Sequence, residues 1–376
     1  MFLLELAAGS RPAGTFRSRS VRFLVAVARR SLAALARCSL ACGPTPIRMQ
    51  RHPVCVEQAE QFVRRSSFLG GCTANHSWQA AAAQAANVEH PIRFINVGAN
   101  KGYEIANFLQ NWVPERNVTR RQWKNRILQY AAVQRSGYLR WAAAGACKDG
   151  YQSKRSEQEA LSKARRARRS GTTVEVHAFE LSASTAQLLH WLVNATGVGD
   201  LVTVHNQPVA NVSKLVPVPP AIAPGGERFG ICLGRSCRRR GHVDVLATSL
   251  DDFITQNALS RVYHVTIDAE GWDAVILEGL RSSLRAKIVQ LVEFEYHAKG
   301  FWGLPHSSPD RRSLAGTLRW MSDMGWFCFM QARTGLLPVS PPCWRDSFEV
   351  NRWINLVCAQ RGSGMFRVLR DFTVPA

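Results

Sequence analysis

The amino-acid sequence predicts an α/β fold built on a mostly parallel sheet. An apolar segment, residues 92–97, runs directly into a loop with glycines at positions 98 and 102, and a helical segment follows. Further along the chain, β-branched segments such as 173–179 and 262–267 alternate with segments of helical periodicity. Strands that alternate with helices pair in parallel through right-handed crossovers. One open sheet with helices on its faces is therefore expected.

Residues 91–376 are predicted to form the sheet domain, after a helical lead-in at 46–90 that contains the alanine-rich run Ala80–Ala86. The prolines and glycines of residues 215–242 predict a loop. The apolar periodicity predicts the remaining elements. Strands are expected at 92–97, 173–179, 201–205, 243–247, 262–267, 288–296, 326–331 and 353–358. Helices are expected at 104–112, 184–193, from 250 onward, at 273–284 and at 313–324.

The net charge of +21 is concentrated in residues 1–65 and 114–170. The rest of the chain is nearly balanced, which argues against a nucleic-acid cleft within the fold and leaves a basic binding arm as an alternative. We interpret 114–171 as a basic insertion into the sheet domain. Its latter half is typical of a solvated helix or a disordered segment.

The first 45 residues are rich in Arg, Ala, Ser and Leu. This composition is compatible with an organellar transit peptide, and a disordered basic tail is the alternative. Arg29 and Arg30 interrupt the apolar stretches of this segment, so no run approaches the ~20 apolar residues of a membrane span. No transmembrane helix is predicted.

Ten cysteines are spread along the chain. The close pairs Cys38/Cys42 and Cys232/Cys237 lack Cys-x-x-Cys spacing, so no metal site is predicted. The four N-glycosylation sequons do not settle the compartment, because several occur by chance in a chain of this length. The redox state of the cysteines and the localisation stay open at this point.

The glycine loop is the first candidate binding site. Glycines after a strand let the backbone approach a ligand, and the following helix presents free N–H groups. The spacing between Gly98 and Gly102 is Gly-x-x-x-Gly, which disfavours a dinucleotide site. Glu180 ends the next strand, where an acid can hold ribose hydroxyls. A surface carboxylate at a strand end is the alternative interpretation.

A second candidate group follows the strand at 262–267. Asp268, Glu270 and Asp273 lie at its carboxyl end, the edge where ligands bind in open α/β sheets. Clustered carboxylates attract cations, perturb one another's pKa and accept protons from substrate hydroxyls. Capping of the next helix is the alternative role for these acids.

The end of the next strand carries a third group. Strand alternation places Glu293 and Glu295 on one face. His297 follows them and is a candidate base. A structural histidine is the alternative interpretation of His297.

Taken in order, these segments resemble the FkbM-type family of S-adenosylmethionine-dependent methyltransferases. The first family motif, Asp-Val-Gly-Ala-Asn-x-Gly, is similar to Asn96–Gly102, and a strand that ends in Phe-Glu is similar to Ala178–Glu180. Three looser similarities follow along the chain. Asn206–Ser213 resembles an Asn-x-Ala-Val-Ser-type stretch of the family, and Thr248–Phe253 resembles its Thr-Leu-Asp-x-Phe element. Thr266–Gly271 resembles its Lys-Ile-Asp-x-Glu-Gly element.

The resemblance implies a class I methyltransferase-like, Rossmann-like fold, with a mostly parallel seven-stranded sheet whose last strand is antiparallel. It implies O-methylation of a hydroxyl on a small-molecule or glycan-like substrate. The residues expected to bind S-adenosyl-L-methionine are Asn96, Gly98, Asn100, Gly102, Glu180 and Asn206. The residues expected to act in catalysis are Asp268, Glu270 and His297, with Asp268 as the preferred base.

Two positions depart from the family pattern. Asn96 stands where the family has Asp, and Thr266 stands where it has Lys. An amide keeps acceptor capacity but loses the charge that favours a cationic group. The alternative is therefore a catalytically inactive methyltransferase-fold protein that binds partners through its basic segments. The missing Gly-x-Gly-x-x-Gly disfavours a nicotinamide oxidoreductase, and the missing Asn-Pro-Pro-Tyr motif disfavours methylation of nucleic-acid bases.

Overall fold

The structure is a computed structural model, and the basic segment 1–45 and nearly all of 138–172 lie outside the residues that it describes. Expectations for those two segments therefore stay predictions. Among the described residues, no helix is long and apolar enough to cross a membrane. The described residues are 55–56, 59–64, 77–86, 91–137, 139, 162, 164, 173–218, 224–225, 241–308, 311–332, 335–350 and 353–374.

The described strands form two sheets. The main sheet contains β1 (Ile92–Val97), β2 (Val174–Phe179), β3 (Val202–His205), β7 (Val262–Ile267), β8 (Val289–Tyr296), β9 (Trp326–Gln331), β10 (Leu336–Pro338) and β11 (Ile354–Gln360). The small sheet contains β4 (Val209–Ala210), β5 (Lys214–Val218) and β6 (Val243–Ser249).

The main sheet has the strand order β10-β9-β11-β8-β7-β1-β2-β3. Strands β1, β2, β3, β7 and β8 pair in parallel, so their carboxyl ends meet at one edge. The last strand, β11, is antiparallel to both of its neighbours, which confirms that expectation. The sheet has eight strands instead of the expected seven, because β10 adds an antiparallel strand to β9.

Helices cover both faces of the main sheet. Strand alternation sends Ile95 and Val97 into one buried apolar cluster, and Ile92 and Phe94 into another on the opposite side. The described helices are α1 (Ala59–Arg64), α2 (Ser77–Ala85), α3 (Tyr103–Trp112), α4 (Arg120–Val133), α5 (Ala183–Ala195), α6 (Leu250–Gln256), α7 (Asp273–Glu278), α8 (Arg281–Arg285), α9 (Leu314–Asp323) and α10 (Gly364–Asp371).

The helix expected at 273–284 is two short helices, α7 and α8. The carboxylate of Asp251 accepts hydrogen bonds from the backbone N–H of Ser282 and of Ser283, both at 2.8 Å. A carboxylate at this position satisfies N–H groups that a helix start leaves free. The chain therefore begins a new helix at residue 281.

Strand β6 of the small sheet covers the strand expected at 243–247, but β5 lies in a region where the sequence predicts a loop. The prolines at 217, 219 and 220 led to that expectation, yet β5 pairs with β6 through five residues, and Pro217 lies opposite Asp244. Strand β5 is at the edge of its sheet, where a residue without an N–H is tolerated. The described part of 215–242 is thus partly strand.

The predicted basic insertion begins with a packed helix. The side chain of Thr119 accepts a hydrogen bond from the N–H of Gln122, and the side chain of Gln122 accepts one from the N–H of Thr119, so α4 starts with a capping box. Trp123, on the buried face of α4, donates from Nε1 to the carbonyl of Lys101 at 2.6 Å. Helix α4 is therefore attached to the glycine loop.

The glycine loop also packs against the backbone at the end of β7. Gly98 has a φ of 74°, and a Cβ at this position would lie 1.8 Å from the carbonyl oxygen of Asp268. The N–H of Asp268 donates to the carbonyl of Val97 at 3.0 Å. Only a residue without a side chain fits between these two backbones.

Two disulfides link distant parts of the described chain. Cys55 is bonded to Cys343 across 288 residues, and Cys328 on β9 is bonded to Cys358 on β11. Cys328 and Cys358 are register partners on neighbouring antiparallel strands. The pairings were not predicted from the sequence, since connectivity cannot be read from cysteine spacing.

Replacing both residues of the long disulfide, C55A/C343A, is expected to lower the free energy of unfolding by about 2–5 kcal/mol, because the unfolded chain gains freedom. Urea denaturation under oxidising conditions measures this difference. Under a reductant that opens both disulfides, the variant and the wild type are expected to converge. A gap that persists in reductant would show that lost packing, and not the cross-link, causes the effect.

Gly98→Ala is expected to destabilise the fold by about 2–5 kcal/mol, because an alanine is strained in the left-handed conformation and its Cβ would clash with the backbone of Asp268. Gly197→Ala is the matched control. Gly197 has a φ of 70°, and nothing lies within 4 Å of the place that a Cβ would occupy there, so we expect a loss of about 1–2 kcal/mol. Equal losses in the two variants, measured by urea denaturation, would contradict the close packing.

Candidate active site

The loop after β1 is anchored at the carboxyl end of β2. The N–H groups of Gly98 and Ala99 both donate to the carbonyl of Phe179, each at 3.0 Å. Gly98, Asn100 and Gly102 have φ values of 74°, 45° and 74°. This left-handed backbone turns the chain sharply from β1 into α3.

Glu180 fixes the same loop from the end of β2. Its Oε2 accepts from the N–H of Asn100 at 2.9 Å, and its Oε1 accepts from the N–H of Ser182 at 2.7 Å. Burial raises the pKa of Glu180, and the hydrogen bonds from Ser182 and Asn100 and the charge of Lys101 oppose this rise. Each carboxylate oxygen can accept a further hydrogen bond from a ligand hydroxyl.

Asn96 and Thr266 form one buried pair at the ends of β1 and β7. They are register partners, and Nδ2 of Asn96 donates to Oγ1 of Thr266 at 2.7 Å. Among the described residues, Oδ1 of Asn96 has no hydrogen-bond partner. A buried acceptor of this kind suits the ammonium group of an amino-acid-like ligand.

These groups share a cavity of about 470 Å³ at the carboxyl edge of the main sheet. That volume is in the range of small-molecule sites. The cavity brings together eight of the nine residues predicted for the site: Asn96, Gly98, Asn100, Gly102, Glu180, Asp268, Glu270 and His297.

The ninth predicted residue, Asn206, is not among the cavity-lining residues. Its Nδ2 donates to the carbonyls of Glu180 and Leu181, at 2.9 and 3.3 Å. The structure therefore places Asn206 behind the site, where its amide holds the backbone after β2. Its neighbours Gln207 and Pro208 line the cavity.

Asp268 is the exposed acid of the cavity wall, and Glu295 is the buried acid beside it. Burial is the largest cause of the raised pKa of Glu295, and the negative charges of Asp268, Asp273 and Glu270 add to it in that order, which brings the pKa to about 11. Glu295 is therefore protonated at neutral pH and forms a side-chain hydrogen bond with Asp268.

Asp273 and Glu270 shape the loop after β7. The fully buried carboxyl of Asp273 accepts from the N–H groups of Ala269 and Gly271, at 3.2 and 3.1 Å. Burial and the nearby charge of Asp268 raise its pKa to about 8. Glu270, predicted as catalytic, forms an ion pair with Lys299 at 2.5 Å on the cavity wall.

His297 lies at the end of β8, and its Nε2 is 3.3 Å from Oε2 of Glu295. Burial and the positive charge of Lys299 lower the pKa of His297 to about 4. The imidazole is therefore neutral at pH 7, and it is a weak proton acceptor.

Several cavity residues were not predicted as site residues. Lys299, Trp353 and Asn355 come from the loop after β8 and from the start of β11, and no motif marks them. Glu293 also lines the cavity. The sequence indicates Glu293 only through its position two residues before Glu295, which places both side chains on the same face of the strand.

Comparison with known proteins identifies the family of this site. Residues 96–326, more than half of the chain, match the model of the methyltransferase FkbM domain. No curated protein matches the chain.

Solved structures of methyltransferases show only distant similarity. A putative O-methyltransferase from Klebsiella pneumoniae is 10% identical, over 81% of this chain and 87% of that chain, with a TM-score of 0.32. The O-methyltransferase TomG from Streptomyces achromogenes, in complex with SAM, is 13% identical, with the same coverage and TM-score. A SAM-dependent methyltransferase from Thiobacillus denitrificans, in complex with S-adenosyl-L-homocysteine, is 8% identical, over 82% and 100% of the chains, with a TM-score of 0.30.

These structural scores are too low to bear on function, so the assignment follows from the domain match. The order of the sheet and the glycine loop at its carboxyl edge agree with that match. The chain belongs to the FkbM methyltransferase family, whose cofactor is S-adenosylmethionine.

Proposed function

We propose that the protein transfers the methyl group of S-adenosylmethionine to a hydroxyl oxygen of a small-molecule or glycan-like acceptor. The observation that carries this proposal is the position of Asp268. Its carboxylate is exposed in the same cavity that the glycine loop and Glu180 line. A base and a cofactor loop that share one cavity can serve one reaction.

Asp268 is proposed to accept the proton of the acceptor hydroxyl at a carboxylate oxygen, since a hydroxyl becomes a good nucleophile when it loses its proton. Glu295 keeps its own proton and supports Asp268 through their hydrogen bond. The neutral imidazole of His297 offers a polar contact at the same wall. These roles divide the acids into one base and one neutral partner.

When bound, S-adenosylmethionine supplies a methyl group on a positively charged sulfur, which is already a good leaving group. The residues of the chain therefore act mainly by orienting the reactants and excluding water. Glu180 is proposed to hold the ribose hydroxyls. The orphaned Oδ1 of Asn96 is proposed to accept from the amino-acid part of the cofactor.

The Asn96–Thr266 pair supports an intact pocket over an inactive one. The family pattern has Asp and Lys at these two positions, and the structure shows that the positions are neighbours across the sheet. A change at one position alone would leave a buried charge without its partner, which is strongly destabilising. The two departures together replace two groups of opposite charge with a neutral hydrogen bond.

Two further side chains of the cavity wall, Trp353 and Asn355, support a glycan-like or aromatic acceptor. Trp353 lines the cavity and keeps 38% of its surface exposed. Its ring offers a flat apolar face, and the amide of Asn355 nearby in the sequence offers both a donor and an acceptor. A ring that carries hydroxyls suits this combination.

The proposal is tested by transfer of a labelled methyl group from S-adenosylmethionine to a panel of monosaccharides, oligosaccharides and phenols, with matched amines as controls. Transfer to a hydroxyl and not to the matched amine is expected. Transfer confined to amines would contradict an O-methyltransferase.

Asp268→Asn is expected to lower kcat/KM for the responding acceptor by about 100-fold or more, because it removes the proposed base. Glu295→Gln is the matched control. Since Glu295 is protonated at neutral pH, an amide mimics its charge, and kcat/KM at pH 7 is expected to stay within a few-fold of wild type. A larger loss in Glu295→Gln than in Asp268→Asn would reverse the proposed roles.

Glu180→Ala is expected to weaken binding of S-adenosylmethionine and of S-adenosylhomocysteine to similar extents, at least tenfold each, because the two share the ribose. Calorimetric titration measures both affinities. Asn206→Ala is expected to weaken binding less, since Asn206 acts through the backbone. The role of Glu180 is refuted if well-folded Glu180→Ala binds both ligands as tightly as wild type.

A further inference from the structure

Three polar side chains form a row across the main sheet beneath the cavity. Asn96 on β1 pairs with Thr266 on β7, and Thr266 pairs with Glu293 on β8. All three are buried and all three line the cavity. Because neighbouring strands lie about 4.8 Å apart, the backbones at Asn96 and Glu293 are roughly 10 Å apart. Glu293 is the ionisable member of this row.

Glu293 is only half satisfied within the described structure. Its Oε1 accepts from Nε2 of Gln331 at 2.6 Å. Its Oε2 has no hydrogen-bond partner among the described residues, although Nε2 of His264 lies 3.6 Å away. Burial lowers the pKa of His264 to about 3, so the imidazole is neutral and provides no counter-charge.

The other groups that face Glu293 do not neutralise it either. Glu104 on α3 and Asp268 after β7 are acids that raise its pKa. Gln331 on β9 and Gln79 on α2 are neutral amides, and their side-chain hydrogen bonds to Glu293 lower it. With burial as the largest cause, the pKa of Glu293 is about 8. A buried acid without a counter-charge is costly, unless a cation enters the cavity that it lines.

We infer that Glu293 supplies the negative charge for the cationic part of S-adenosylmethionine, in place of a carboxylate at position 96. The inference rests on S-adenosylmethionine as the cofactor and is independent of the methyl acceptor. The neutral Asn96–Thr266 pair keeps hydrogen-bonding capacity at one end of the row, while the charge lies two strands away. Binding of the cation favours the ionised form of Glu293.

Glu293→Gln tests this inference, because the amide has the same shape and can still accept from Gln331. We expect it to bind S-adenosylmethionine 10- to 100-fold more weakly by calorimetric titration. Parallel titration with S-adenosylhomocysteine, which has the ammonium but not the sulfonium, identifies which of the two cationic groups of the cofactor Glu293 contacts. Equal losses place Glu293 at the ammonium, and a loss for S-adenosylmethionine alone places it at the sulfonium. Unchanged affinity for both would overturn the inference.

Two controls separate charge from damage to the fold. In the wild type, the raised pKa of Glu293 lowers stability progressively from about pH 4.5 to 8, where the unfolded group is ionised and the folded group is protonated, and the full cost is present above pH 8. Glu293→Gln removes this cost, so its Tm at pH 7 is expected to equal or exceed that of wild type. Glu115→Gln replaces a carboxyl group with an amide at an exposed site, and unchanged affinity is expected.

Relocating the charge gives the sharpest result. The double variant Asn96→Asp/Glu293→Gln moves the carboxylate to the other end of the row, and binding of S-adenosylmethionine is expected to recover to within a few-fold of wild type. Failure of the folded double variant to recover, with binding no better than in Glu293→Gln, would show that Glu293 acts through its shape or local packing and not through its charge.

The pH dependence provides an independent readout. Glu293 must lose its proton to pair with a cation, so the affinity of the wild type is expected to fall as the pH drops from 8 to 6, with proton release on binding. Protonation of the cofactor's own amino group contributes the same pH dependence to the wild type and to Glu293→Gln, so it cancels in the comparison. The same pH slope in Glu293→Gln and wild type would contradict the inference.

Discussion

The site depends on the close backbone contact between the loop after β1 and the end of β7. Gly98 has no room for a side chain against the carbonyl of Asp268, and Val97 accepts a hydrogen bond from the N–H of Asp268. This contact brings the glycine loop and Asp268 to one cavity. The remaining geometry follows from it, because Glu180 and α4 then hold the same loop from the opposite side.

The electrostatics of the cavity differ from those of the whole chain. The chain has a net charge of +21, yet the described cavity wall is rich in acids. Burial keeps Glu295 protonated, whereas Asp268 is exposed in the cavity. The acids of one cavity can therefore take different roles: Asp268 as the base, Glu295 as a neutral hydrogen-bond donor and, in our account, Glu293 as a counter-charge. Their environments, more than their residue type, set these roles.

Much of the fold could be predicted because it depends on local patterns. The strand at Ile92–Val97, the glycine loop and Glu180 have strong signals in apolar periodicity and strand-end chemistry. Strand β5 was missed because Pro217 argues against a strand until the strand is known to lie at an edge. Strand β10 is only three residues long, too short for a periodic signal.

The site was predictable where residues follow a parallel strand and not where they come from distant segments. Asp268 and His297 follow β7 and β8, so their convergence follows from the sheet. Trp353 and the partners of the two disulfides depend on long-range contacts that no local pattern encodes. The link between Asn96 and Thr266 likewise required the strand register, and it changes the meaning of both departures from the family pattern.

The most direct measurement is an NMR titration of S-adenosylmethionine carrying a ¹³C-labelled methyl group. If the cavity is a working cofactor site, the methyl resonance should broaden or shift on addition of the protein and return when excess S-adenosylhomocysteine competes. A resonance unaffected by folded protein would contradict a functional methyltransferase site.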